Sequence, residues 1–446
     1  MLTKKRAYEI IDLITSHTNY YVAVDITMKQ EGLTRFANSE IHQNVYNDDC
    51  DVKINLFGDK KISIVSTNVL DDAALLEALK DAENKLEFLP VGQLELPELK
   101  DSPEIVSESY NDSLNTDFDT LKRAELLKQS IDLLEDDFIA AGAFSLKNIV
   151  LAWGNSHGVK RYVSNSSVDL NAMVMHESGA SGYIETSVSD AKDLDVITEF
   201  TKAYNKSKQG LNPISIEPEK YDVILEPLAV GDILMFTGYI GANSKFHQIG
   251  MSCFTGKVGE QVMGANINIS DDIMHPKTNN LPFDFEGHPR QSLKIIEKGI
   301  LRNIAYDTIT AMAESKETTG HSVGYAGEGG IPLNLVMEGG NSSLEKMIQS
   351  TKKGLLVSRF HYMNIVDPTQ GVLTALTRDG LFLIEDGKVT KPVYNLRFTD
   401  SISHVFNNVV ELSKEREKTP GFFGNLYVPA IKVKDFSFTG KTQIES

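Results

Sequence analysis

The chain has 446 residues, 41% of them hydrophobic and 24% charged, a balance that suits a soluble globular protein of about two or three domains. Its 44 basic and 62 acidic residues leave a formal net charge of −18, which repels phosphate backbones and argues against a nucleic-acid partner. Cys50 and Cys253 are the two cysteines, too few for a disulfide framework or a four-cysteine zinc site, so a reducing, cytoplasmic setting is expected.

In chain order, Ala7, Ile10, Ile11 and Ile14 recur at helical spacing and predict a helix over Lys4–His17. The charged Lys4-Lys5-Arg6 start offers no signal-peptide core, and no apolar run approaches the ~20 residues that span a bilayer. Asn19–Thr27 and Leu33–Tyr46 read as strands, and Asp51–Phe57 with Lys61–Ser66 as a hairpin about Gly58-Asp59-Lys60. Asp71-Asp72 caps a helix running to Phe88. Pro90–Asp119, rich in Pro, Asp, Ser and Asn, reads as a crossover or linker outside the core. Helical spacing returns over Phe118–Phe138, followed by four strand-like runs between Ala143 and Ser189 and a helix over Ala191–Lys208. Gln209–Glu219 marks a boundary, which predicts domains at 1–215 (with a sub-boundary near 90–118) and 216–446. Beyond it, Asp379-Gly380 and Asp386-Gly387 suggest successive hairpins. The fold class expected is α+β, with a mixed α/β N-terminal half and a mostly antiparallel β C-terminal domain.

No constellation of residues makes a convincing catalytic centre. His176-Glu177 lacks the second helical histidine of a zinc protease and suits a strand end. Gly320-His321-Ser322-Val323-Gly324 matches G-x-S-x-G, but without a strand before it or a helix after it a turned loop is expected. Asp271-Asp272 with His275, and Asp284, Glu286 and His288, offer metal-ligand chemistry, yet Pro and Gly beside them favour turns. Cys253 sits in an apolar-leaning segment where a buried, inert thiol is expected.

Several stretches, in order, resemble the TldD/PmbA family: Thr34–Gln43, Asn155-Ser156-His157-Gly158, Ser252–Val262 (S-x-F-x-G-x-V-G-E-Q-V), Phe283–Gly287 (F-D-x-E-G) and Thr377–Gly380 with Ile384–Lys388. In its TldD-type members an H-E-x-x-x-H helix lies just upstream of the S-x-F-x-G run. Here Met235, Phe236 and Ile240 stand at those positions, and no cysteine follows Cys253 to serve as the C-terminal ligand. Thioether and hydrocarbon side chains neither bind zinc well nor carry protons. The resemblance therefore implies a member of the zinc-less TldE/PmbA side, with no catalytic and no metal residue of its own. It also implies no cofactor in this chain, a zinc-bearing TldD-like partner, a peptide substrate, and no membrane partner. The older family label, modulator of DNA gyrase, finds no direct support in the acidic charge. Two alternatives stay open: a hydrolase acting alone through Ser322 or a metal at Asp272, His275 and His288, and a homo-oligomeric (for instance homodimeric) binding protein. The stretch around Pro227–Gly241 is expected as a helix used in core or interface packing.

Overall fold

The computed structural model describes residues 1–92, 97–278, 281–422 and 424–442. Its first half runs α1 (Lys4–Thr15), β1 (Tyr21–Ala37), β2 (Glu40–Gly58), β3 (Lys61–Thr67), α2 (Asp72–Phe88), β4 (Ile105–Ser109), α3 (Ser113–Asp117), α4 (Thr120–Ile131), β5 (Phe138–Asn155), β6 (Lys160–His176), β7 (Ser181–Val188) and α5 (Val196–Gln209). The strands make one sheet in the order β3-β2-β1-β5-β6, and β4 and β7 share the outer edge of β6. All its pairs are antiparallel except β4–β6.

One face of this sheet is covered at both ends by helices. Ala7, Ile10, Ile11 and Ile14 of α1 and Leu75, Leu79 and Leu86 of α2 pack on Val22, Val24, Ile54 and Leu56. Removing each of these isoleucines from water contributes about 2 kcal/mol. Asp71 starts α2 as expected, its carboxylate accepting the Ala74 N–H at 3.1 Å. At the other end α4, through Leu127, and α5, through Phe200, close over Phe36 and Phe144. The opposite face, at Ala23, Trp153 and Val163, receives Phe283 from the second half.

That second half contains β8 (Lys220–Leu225), α6 (Pro227–Phe236), α7 (Ser244–Gln248), β9 (Ile269–Asp271), β10 (Leu293–Glu297), β11 (Ile300–Leu301), α8 (Thr308–Ala313) and β12 (Leu335–Met337). It continues through α9 (Leu344–Gln349), β13 (Lys353–Asp367), β14 (Val372–Glu385), β15 (Lys388–Pro392), β16 (Leu396–Ser401), α10 (Ile402–Asn407), β17 (Val409–Gly421) and β18 (Gly424–Lys441). Because β18 pairs with both β16 and β8, the strands β8-β13-β14-β16-β18 close into a ring. Phe360, Phe398 and Phe436 pack together in its core, with neighbouring ring centroids 4.5 and 5.0 Å apart. The architecture is α+β, with mostly antiparallel pairing.

Several sequence expectations need correction. The first two strands are one long hairpin that turns at Asn38-Ser39, both at positive φ, not near residue 30. The polar run Lys29-Gln30-Glu31 resembles a turn but is held in the ladder by β2 on one side and β5 on the other. Helix α4 stops at Ile131, well before Phe138; the acidic Glu135-Asp136-Asp137 would oppose the negative end of a longer helix. Three long strands, not four runs, fill 138–188, and the following helix starts at Val196 behind an Asp195 cap. The supposed linker contributes β4 and α3 and buries Leu114 and Phe118 in the core, although its residues 93–96 lie outside those described. Finally, Asp379-Gly380 is no hairpin turn. It is a bulge inside β14, where Val357 faces Leu381 but Arg359 faces Arg378.

Candidate functional site

Helix α6 begins with Pro227 in its first turn and drives Ala229, Val230, Ile233 and Leu234 into the core. Its last turn widens into a single π turn, Thr237–Gly241. Five-residue spacing falls off one face of an α-helix at 3.6 residues per turn, whereas an i→i+5 turn brings such positions closer to alignment. The backbone thus winds as an i, i+5 pair on one face would need, with Met235 and Phe236 ending α6 and Ile240 in the π turn. Ile240 is fully buried in the core, while Met235 and Phe236 are half-buried beside a cavity of about 450 Å³. This donor set does not fit zinc: the Met235 sulfur accepts the Phe422 N–H at 3.1 Å, and the other two side chains have no donor atom.

Three elements meet at the cavity. Asp232, Met235, Phe236 and Tyr239 come from the helix and its π turn, Arg359–Met363 from β13, and Phe422 from the end of the β17–β18 hairpin. A second irregularity opens β13 here: Tyr362 takes φ +52° and the register shifts between His361 and Asn364. As a result Tyr362 is 75% exposed and, with Phe422 at 86%, forms an aromatic rim above the methionine and phenylalanine walls.

The electrostatics of the floor follow from burial and pairing. Burial pushes the Asp232 carboxyl up to about 7, against the opposing pull of the Phe360 N–H bond and the Arg359 charge. Arg359 is fixed from behind. Its Nε donates to Asp379 Oδ2 at 2.6 Å, its Nη2 pairs with the same carboxylate, and its guanidinium stacks 3.8 Å from the Tyr183 ring centre. The β14 bulge is what delivers Asp379 to this place, where it also accepts the Ser181 hydroxyl at 2.6 Å. His361 is held below its ordinary value by burial and then by Arg378 and Arg359.

The other candidates serve structural roles, and four of them, Ser322, Asp284, Glu286 and His288, meet in one buried network. Ser322 is fully buried; its hydroxyl bonds the Gly324 carbonyl at 3.0 Å and its N–H bonds Asp284 at 3.0 Å. The adjacent His321 turns to Thr319 and lies 3.6 Å from Asp271, so it is no base for that serine. Asp284 also accepts the Glu286 and His288 N–H groups, and Glu286 accepts the Thr308 N–H at 3.1 Å, so the F-D-x-E-G step ties two loops together. Burial, followed by Asp284, raises Glu286 to about 8. Asp272 accepts the Met274 N–H in a turn, His275 packs on Tyr427 (4.8 Å between ring centres), and His288 contacts Thr308 instead. Among the described residues no three His, Cys, Asp or Glu side chains are grouped to hold an ion. His176 ends β6, and Cys253 is buried, its thiol pushed up to about 11 by that burial. Asp232, Arg359, Tyr362 and Phe422 were missed as site residues. Only the T-R-D-G motif pointed to the neighbourhood, through the residue that holds Arg359.

The family model for the PmbA/TldA metallopeptidase C-terminal domain matches residues 218–440. The chain belongs to the PmbA/TldD family of metallopeptidases and their relatives. It is 23% identical to the metalloprotease PmbA homologue of Haemophilus influenzae, over 71% of this chain and 69% of that protein. The metalloprotease TldD homologue of the same organism is 32% identical, but over 45% of this chain and 44% of that one. In three dimensions it is similar to TldE from Thermococcus kodakarensis, with a TM-score of 0.83 at 21% identity, covering 98% of this chain and all of that one. That likeness establishes the shared fold.

Proposed function

We propose that this chain is the zinc-less, TldE/PmbA-like subunit of a two-chain TldD/TldE-type metallopeptidase. It binds extended peptide and supplies scaffold, while a TldD-like partner carries the zinc. The observation that carries this reading is the donor set at the end of α6: Met235, Phe236 and Ile240 have the winding of a ligand helix without its ligands. In this reading no residue of the chain is catalytic and none binds metal.

The cavity supports the peptide-binding part. Beyond Val357, where its pairing with β8 ends, β13 has no further strand described on that side, and an extended segment can add to such an edge. Side chains of that segment would reach the Met235–Phe236–Tyr239 wall. The reading expects a cytoplasmic setting, which the small number of cysteines supports; no described helix is long and apolar enough to cross a membrane.

The test is reconstitution. The purified chain alone should leave unfolded peptides intact, whereas mixing it with a TldD-like zinc subunit should raise cleavage at least tenfold over that subunit alone. Equal cleavage with and without this chain would rule out the subunit role.

A further inference from the structure

Resting on that reading, we infer that the cavity beside α6 captures the carboxyl-terminal residue of its peptide, with an apolar side chain buried in the cavity and the free carboxylate at the basic mouth.

The apolar half of the argument is the wall. Met235, Phe236, Tyr239, Met363 and the rim rings of Tyr362 and Phe422 surround about 450 Å³, enough for one large side chain. Thioethers and rings adapt to many apolar shapes and select against small or strongly hydrated groups. The exposed rim makes sense as a surface that closes over an occupant, since large exposed apolar groups at a concave site mark binding.

The charged half is local and runs against the whole molecule. In a chain of net charge −18, this mouth has two arginines, Arg359 in its lining and Arg378 directly across the β13–β14 ladder from it. Of the carboxylates nearby, Asp379 is buried and spent on Arg359 and Ser181, and Glu185 accepts the Tyr183 hydroxyl at 2.9 Å. Asp232 accepts the Phe360 N–H, and burial pushes its carboxyl up to about 7. Arg378, 39% exposed, is left with only a 4.0 Å approach to Asp379. Cationic groups recognise a carboxylate, and an arginine can do so with two parallel hydrogen bonds. The backbone of an internal segment carries no charge to answer these arginines, whereas a carboxyl terminus does.

Isothermal titration calorimetry of the full chain at pH 6.5 tests this with three versions of one Gly/Ser-rich hexapeptide ending in Phe: free acid, carboxyl-terminal amide and amino-terminal acetyl. The free acid and the acetylated acid should bind alike, and the amide at least tenfold more weakly. Arg378→Gln should erase most of that difference without moving the melting temperature by more than a few degrees. Replacing the final Phe with Gly should weaken the acid at least fivefold. Equal affinity of acid and amide would overturn the inference while leaving peptide binding intact. Weakening by acetylation alone would assign the cavity to an amino terminus instead. Absence of heat with every peptide would sink the peptide-binding reading together with the inference.

Discussion

Asp379 is the residue on which the site's geometry hangs. It is fully buried, and it anchors Arg359 from β13 and the Ser181 hydroxyl from β7, which joins the two halves of the chain. Leaving a buried arginine without its carboxylate is costly, so Asp379→Asn should lower unfolding stability by about 3 kcal/mol in urea titration. A loss under 1 kcal/mol would mean that the pair is solvated. Asp232 gives a pH signature. Its folded value of about 7 lies above the ordinary 3.8, so the folded chain keeps a proton there that the unfolded chain has released. Stability from this group is therefore full below the ordinary value, falls as pH rises towards 7, and is lost above it. Arg359 and the Phe360 N–H oppose the shift and Glu185 reinforces it. Asp232→Asn should raise the urea midpoint at pH 8 and leave it nearly unchanged at pH 4. Identical midpoints for variant and parent at both values would remove Asp232 from the account.

The two irregular elements, the π turn after α6 and the bulge in β14, position everything else. Both depend on glycine where a side chain would collide. A Cβ at Gly380, at φ +135°, would lie 2.4 Å from the Ser358 hydroxyl, and one at Gly238 would lie 2.7 Å from Leu335. Gly380→Ala should cost about 2 kcal/mol in thermal or urea unfolding, and it should also weaken peptide binding by displacing Asp379. These elements also mark how far the sequence could be read. Helix α1 and the Asp71 cap were legible because their signals, apolar spacing and a short acidic side chain, act within one or two turns. Asp379-Gly380 was misread because Asp-Gly satisfies positive φ equally in a hairpin turn and in a bulge, and only the partner strand decides between them. The hairpin at Asn38-Ser39 was missed for the same kind of reason: Lys29–Glu31 looks like a turn until two neighbouring strands pair with it. At the site, the helix that carries Met235 and Phe236 was legible from its apolar run. The cavity was not, since Asp232, Arg359 and Phe422 are brought together from positions far apart in the chain.

At the scale of the whole molecule, two sheets with separate cores are joined through Trp153 against Phe283 and through Asp379 against Ser181. In the α1–α2 layer, Ile11→Ala should cost about 3 kcal/mol by leaving a cavity. That change should spare the affinity of the folded chain for peptide, because α1 lies on the sheet face opposite the one that meets the second half. The proposed peptide-binding role depends on three parts of the second half: the edge of β13 beyond Val357, the end of α6 beside it, and the two arginines at the cavity. The most direct test is cleavage of an unfolded peptide by the purified chain alone, with zinc supplied and then removed by a chelator. The account predicts no turnover in either condition; zinc-dependent hydrolysis that the chelator abolishes would contradict it.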